Sequence, residues 1–372
     1  MKRLINYNPF SKEQACSWIE LEGLEPPFVV MFRKRFVMPA RATVRVHVTA
    51  DERYELFLDG RRVSRGPERC DGVRTFFDTL DLDLEAGGHV FAAKVVALGE
   101  RAPLAQLSQV PGGFLLQPEG GDFQQLFGTG CADWDGRWAS GFSFEQIPYA
   151  FGIGWRECID GRVYDAWSDR AGSGEGWGPA VPVAPGTALP LSPATLPPLL
   201  DAPVARPALL DVADLPVDRL EESPQVAVGA GEPVQDGVDA QQRLQVPAHT
   251  VRRFLFRFDD YICVYPELQV SGGSDARIRV GFHEAACLQQ KPAEHPHFRY
   301  PKGARDAIEG KYLILPIAVT WRCSGRDSLF DPLWWFAGRY LEITVETQAQ
   351  ALGIEAINLF ETRYPLQVDS HI

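Results

Sequence analysis

The sequence lacks any apolar run approaching the ~20 residues that a membrane-spanning helix needs. It also lacks a CxxC pair, a strand–GxGxxG–helix arrangement and a GxSxG motif. Those absences argue against a CxxC zinc or redox centre, a dinucleotide fold and a serine-hydrolase elbow. Positive charge is in deficit as well, with 37 Lys and Arg against 49 Asp and Glu and a formal net charge of −12. That balance argues against nucleic acid or an anionic membrane surface as partner and suits a neutral or weakly charged ligand. Near the N-terminus Asn6, Asn8 and Pro9 interrupt any apolar signal-peptide core behind Lys2 and Arg3. The cysteines, at Cys16, Cys70, Cys131, Cys158, Cys263, Cys287 and Cys323, are scattered and odd in number. Such usage is that of a reducing compartment, and the expectation is a cytoplasmic protein.

Turn residues, by contrast, are abundant. The 34 Gly and 29 Pro among 372 residues punctuate the chain more often than a helical bundle tolerates. Between them run short strand patterns, FVVMFRKRFVM (28–38), TVRVHVTA (43–50), YELFLDGRRVSRGP (54–67), TFFDTLDLDL (75–84) and HVFAAKVVALG (89–99). Tyr54, Leu56 and Leu58 alternate before Asp59-Gly60, a dipeptide suited to a tight hairpin. Residues 179–225 are rich in Pro and predict a semi-extended surface connector. Strand patterns resume at 251–270, 276–285, 312–321, 338–347 and 353–365. In the fourth of these Leu341, Ile343 and Val345 predict a dry face, and Glu342, Thr344 and Glu346 a wet one. The expected fold is all-β, with two jelly-roll-like β-sandwich modules, 1–178 and 226–372, joined by the connector 179–225.

Several clusters invite a chemical reading. Trp134, Trp138, Trp155, Trp167 and Trp177 are interleaved with Asp133, Asp135, Asp160, Asp165 and Asp169. Aromatic faces beside carboxylates are how sugar clefts combine stacking with hydroxyl recognition, although tryptophan is equally a core residue. Trp134, Trp138, Trp155, Asp160 and Trp167 are the candidate sugar-binding set. Trp334 and Trp335, as neighbours on an extended segment, are expected to point to opposite faces, one of them into the core. His283, Cys287, His295 and His297 do not follow a zinc spacing. The DWDG run (133–136) resembles the start of a calcium loop without its remaining ligands and reads as a turn. No cofactor is expected, and calcium is the one metal worth testing.

Many of these stretches, in order, resemble the N-terminal β-domains of the bacterial α-L-rhamnosidase family of glycoside hydrolases. In the first module they are FRKRF (32–36), YELFLDGRRVSRGP (54–67), FDTLDLDLEAGGHVFAAKV (77–95), WRECIDGR (155–162) and GWGPAVPVAPG (176–186). In the second they are FLFRFDDYICVYPELQVSGG (254–273), KGARDAIEGKY (302–312), SLFDPLWWFAGRYLEITVET (328–347) and TRYP (362–365). The resemblance implies a galactose-binding-like first module and a second that precedes the family's catalytic (α/α)-barrel. It also places the general acid and base, which an inverting glycosidase holds roughly 6.5–9.5 Å apart, on that barrel. No catalytic residue is carried over to this sequence, which runs only to Ile372. The expected partners are the barrel, in cis or in trans, and a rhamnose-containing carbohydrate. Arg305, Asp306, Trp334, Trp335 and Arg339 are then candidates for interdomain docking. A stand-alone carbohydrate-binding protein is the alternative, and an enzyme using carboxylates of its own sandwiches a third reading.

Overall fold

The computed structural model describes residues 1–372 apart from 11–14, 104–105, 147–154, 185, 187, 236, 290–300, 315–317 and 367–372. Strands dominate, as the turn-rich sequence predicts. The first sheet orders Lys2–Arg3, Thr75–Leu84, Ala42–Ala50, Phe114–Pro118, Ile19–Glu20 and Val181–Pro182, with Leu191–Pro193 alongside Thr75–Leu84. The second orders Gly178–Pro179, Asp135–Trp138, Phe28–Met38, Gly87–Ala97, Arg53–Leu58 and Arg61–Gly66. Phe32, Val46, Leu82, Phe91, Phe114 and Trp134 form the core of this sandwich. Each such side chain contributes about 1.5–3 kcal/mol by leaving water. The Asp59-Gly60 turn forms as expected, with φ of 50° and 78°, the positive values a two-residue hairpin requires.

The remaining strands make the second sandwich. Its longest element, Val251–Gly272, pairs with Phe336–Glu346 and then with Leu352–Glu361. A register break between Arg257 and Ile262 interrupts its ladder with Phe336–Glu346, and from Val264 onward it pairs with Leu352–Glu361. Leu341, Ile343 and Val345 enter the core as their alternation predicts. Glu342, Thr344 and Glu346 are not wet, however, because residues 220–227 lie over them. Arg279 donates to the Leu220 carbonyl at 3.0 Å, Arg253 to the Val226 carbonyl at 3.0 Å, and Leu220 N–H to Glu346 at 2.7 Å. His283 meets Glu342 in the same layer, Nε2 to Oε2 at 2.9 Å, and is a buried structural histidine.

Two features depart from a simple string of modules. Phe142–Glu145 and Arg156–Asp160 leave the first sandwich and pair into the second, Arg156–Asp160 running parallel to Ala318–Arg322. The Pro-rich stretch, expected as a connector over the surface, instead supplies short strands to the sheets. Gly178–Pro179 and Val181–Pro182 sit at sheet edges, where proline's missing N–H costs no ladder bond. Ala208–Asp214 pairs with the long strand Val251–Gly272.

The second sheet is covered on both faces. Phe28, Val30 and Phe32 point into the first core, while Val29, Met31 and Val96 join the core of the second sandwich. That explains why FVVMF is apolar without alternation, as a doubly buried strand must be. Among the described residues no helix is long and apolar enough to cross a membrane.

Candidate functional site: the seam between the sandwiches

The outer face of that sheet carries charge into the interface. Strand Arg53–Leu58 sends Tyr54 and Leu56 into the first core, so Arg53, Glu55 and Phe57 face the other way. Strand Gly87–Ala97 likewise buries Phe91, Ala93 and Val95 and turns Lys94 toward the second sandwich. Lys94 is 1% exposed, and so is Asp331 opposite it. The ammonium lies 2.8 Å from Glu55 and 3.0 Å from Asp331. Arg170 reaches Glu267 at 2.7 Å and Asp331 at 3.2 Å. Arg62 meets the same Glu267 oxygen at 2.7 Å, and Arg65 meets Glu55 at 2.7 Å.

Burial alone would raise the Glu55 carboxyl, but Lys94, Arg65 and Arg62 outweigh it and hold Glu55 at about 2. Asp331, also buried, is held well below the usual carboxylate range by Arg170 and Lys94. Glu157 behaves oppositely. Burial pushes it up to about 8, and the Leu333 N–H that it accepts at 3.0 Å only partly offsets this. Asp51 and Glu52, raised by burial as well, accept backbone N–H groups of Val110 and Leu98. Carboxyls used in this way tie down loops within each sandwich.

At the rim of the seam stand the two adjacent tryptophans. Their rings stack, 6.0 Å apart and 26° from parallel, and both are half-buried. The expected opposite orientation fails because the chain bends at Leu333 and Trp334 after Pro332, so the period of two does not apply there. The Arg53 guanidinium lies 3.6 Å from the Trp334 ring centre. The other docking candidates form a separate group. Arg305, with Lys302, pairs with Glu284, and Asp306 pairs with Arg339. Among the described residues no hydrogen bond, ion pair or ring contact joins this group to Trp334 and Trp335.

The candidate sugar residues divide. Trp134 is a core residue, 2% exposed, edge-on to Phe114, with its indole N–H given to the Phe127 carbonyl at 3.1 Å. It offers no face to a sugar. Trp155 is half-buried beneath Arg101, 4.3 Å away. Asp160 is occupied by Arg162, at 2.8 and 2.6 Å, which lowers its pKa. Trp138 and Trp167 remain open, 52% and 44% exposed. Their elements are tied together, since Arg137, next to Trp138, pairs with buried Asp169 on the helix Ala166–Arg170. Trp177 packs nearby, 4.3 Å from Arg33 and 5.1 Å from Arg137.

As for metals, Asp135 of the DWDG run is engaged by Arg33 at 2.9 Å. His295 and His297 lie outside the described residues, and among those described no group of three His, Cys, Asp or Glu is placed to hold an ion.

Comparison with solved structures identifies the architecture. Against the GH78 family rhamnosidase of Bacillus sp. GL1, 95% of this chain superposes on 56% of that one, with a TM-score of 0.72 and 13% identity. The α-L-rhamnosidase from Dictyoglumus thermophilum gives a TM-score of 0.55 at 14% identity, over 95% of this chain and 36% of that chain. The α-L-rhamnosidase from Aspergillus terreus gives 0.51 at 16% identity, over 92% and 36%. The fold is that of part of these rhamnosidases. This chain spans about a third to just over half of their lengths. No protein-family model and no curated protein matches the sequence.

The seam residues were not singled out from the sequence. The one available signal was Lys94, a lysine inside the apolar run FAAKVVA (91–97).

Proposed function

We propose that this chain is a non-catalytic, rhamnosidase-related scaffold, two sandwiches locked into one body that supports a catalytic (α/α)-barrel in cis or in trans. The observation that carries the reading is the buried ionic seam of Lys94, Glu55, Asp331, Arg170 and Glu267. It spends the interface's titratable groups on holding two layers in register, a supporting function. Trp334 and Trp335 at its rim are the surface offered to the barrel, and terminal α-L-rhamnosides are the substrates of the intact assembly. The compartment proposed is the cytoplasm, in keeping with seven free cysteines. The test is release of aryl alcohol from an aryl α-L-rhamnoside. The chain alone is expected to release none; turnover that a single carboxylate substitution abolishes would overturn the reading.

A second reading, carbohydrate binding, draws on the open Trp138 and Trp167 and their linkage through Arg137 and Asp169. It predicts saturable quenching of tryptophan fluorescence by L-rhamnose or a rhamnoside, lost in Trp138→Ala. No quenching at tens of millimolar sugar, a weak-binding range, would remove it.

A further inference from the structure

In an acidic chain with 49 Asp and Glu, most interior arginines find a carboxylate. Arg62, Arg65 and Arg170 each do so within the seam. Arg53 and Arg69, beside Trp334, do not. The Arg53 guanidinium rests on the Trp334 ring at 3.6 Å, and the Arg69 guanidinium is 6.0 Å from the same ring. Among the described residues neither arginine donates a hydrogen bond or joins an ion pair. The Nε of Arg53 is buried without an acceptor. Burial lowers its pKa to about 10, so it remains a cation at neutral pH. Of its acidic neighbours, Glu157 is pushed up to about 8 by burial, and Glu52 accepts the Leu98 and Gly99 N–H groups rather than pairing with Arg53. Glu68, next to Arg69, is engaged elsewhere, accepting from Thr195 and Leu196.

A half-buried guanidinium with unused donors, a second cation and a stacked indole pair have a defined complement. It is a carboxylate attached to a flat or apolar body, since arginine presents a fork that fits a carboxylate's two oxygens and the indoles cover the adjoining face. We infer that Arg53, Arg69, Trp334 and Trp335 form a receptor for a carboxylate-bearing ligand at the rim of the seam. Two sources carry that chemistry, a sugar acid and an acidic side chain of a docked polypeptide. The inference stands on two cations without an ion-pair partner among the described residues and does not need the rhamnosidase-related reading.

The test is tryptophan fluorescence of the full chain at constant ionic strength, titrated separately with D-glucuronate and with N-acetylglutamic acid α-amide. D-glucose and L-rhamnose serve as neutral controls. A saturable response to one or both carboxylates, absent with the neutral sugars, is the expected result. Arg69→Gln, an exposed position, should weaken it roughly tenfold, and Arg53→Gln by more. Trp334→Phe should remove most of the signal change. The stronger of the two carboxylates identifies the source. No saturable response to either, an equal response to D-glucose, or binding unchanged in Arg69→Gln and Arg53→Gln would overturn the inference.

Discussion

The two faces of the sheet built on Phe28–Met38, Gly87–Ala97 and Arg53–Leu58 are both buried, yet they are held in opposite ways. One face meets the first sheet through Phe32, Phe91, Val95 and Leu56. The other meets the second sandwich through Val29 and Met31 and, beside them, Lys94, Glu55 and Arg53. Apolar packing is tolerant, since many side chains of similar volume fill such a space. A buried ion pair is intolerant, because each charge depends on its partner remaining where it is. The first face therefore supplies stability, and the second fixes which layer lies against which, and in what register.

That contrast can be broken most severely at Lys94. Lys94→Ala leaves Glu55 and Asp331 buried without their cation and should cost about 3–5 kcal/mol, read as the urea midpoint. Replacing Lys94, Glu55, Asp331, Arg65 and Arg170 together by apolar residues of similar volume, which leaves Glu267 its partner Arg62, should restore most of that loss. If this combined variant is as weak as Lys94→Ala, the seam's charges contribute net stability beyond mutual compensation.

Next in size is the response to pH. Glu157, raised in the fold from 4.5 to about 8, contributes stability that is complete below 4.5 and is lost as pH rises through 8. Glu55 and Glu342, each held at about 2, contribute stability present above 4.5 and lost as pH falls through 2. The urea midpoint should therefore decline on both sides of the mildly acidic range. Glu157→Gln should flatten the alkaline side and leave the acid side unchanged. The smallest effect belongs to the exposed pair of Arg339 and Asp306, where Arg339→Ala should cost under about 0.5 kcal/mol. A larger loss would mean that this loop matters to the fold as the seam does.

How much of this was legible follows from what each pattern can report. Alternation located the strands and inner faces correctly, as Tyr54, Leu56, Leu341 and Ile343 show. It assigned Glu342 and Thr344 to water, because a period of two distinguishes faces but does not say what covers the second one. The segment near Leu220 and Val226 covers it, from over a hundred residues away. Trp134 fell among the sugar candidates because composition places aromatics near acids without showing which way they point. The stacking of Trp334 on Trp335 depended on a bend that the sequence marks only by Pro332. Pairs such as Lys94 with Asp331 are invisible to local pattern altogether, being set by how two sandwiches dock.

Lys94 and Asp331 are 237 positions apart in the chain. Any crossover between related genes that falls within that interval brings together halves with separate histories. A chimera that receives one buried charge without its counter-ion starts life several kcal/mol short, of the order of a domain's whole margin. Apolar faces would tolerate such exchanges far better. The seam thus makes these two sandwiches a unit of inheritance, expected to be transmitted together even where recombination shuffles the sequence on either side.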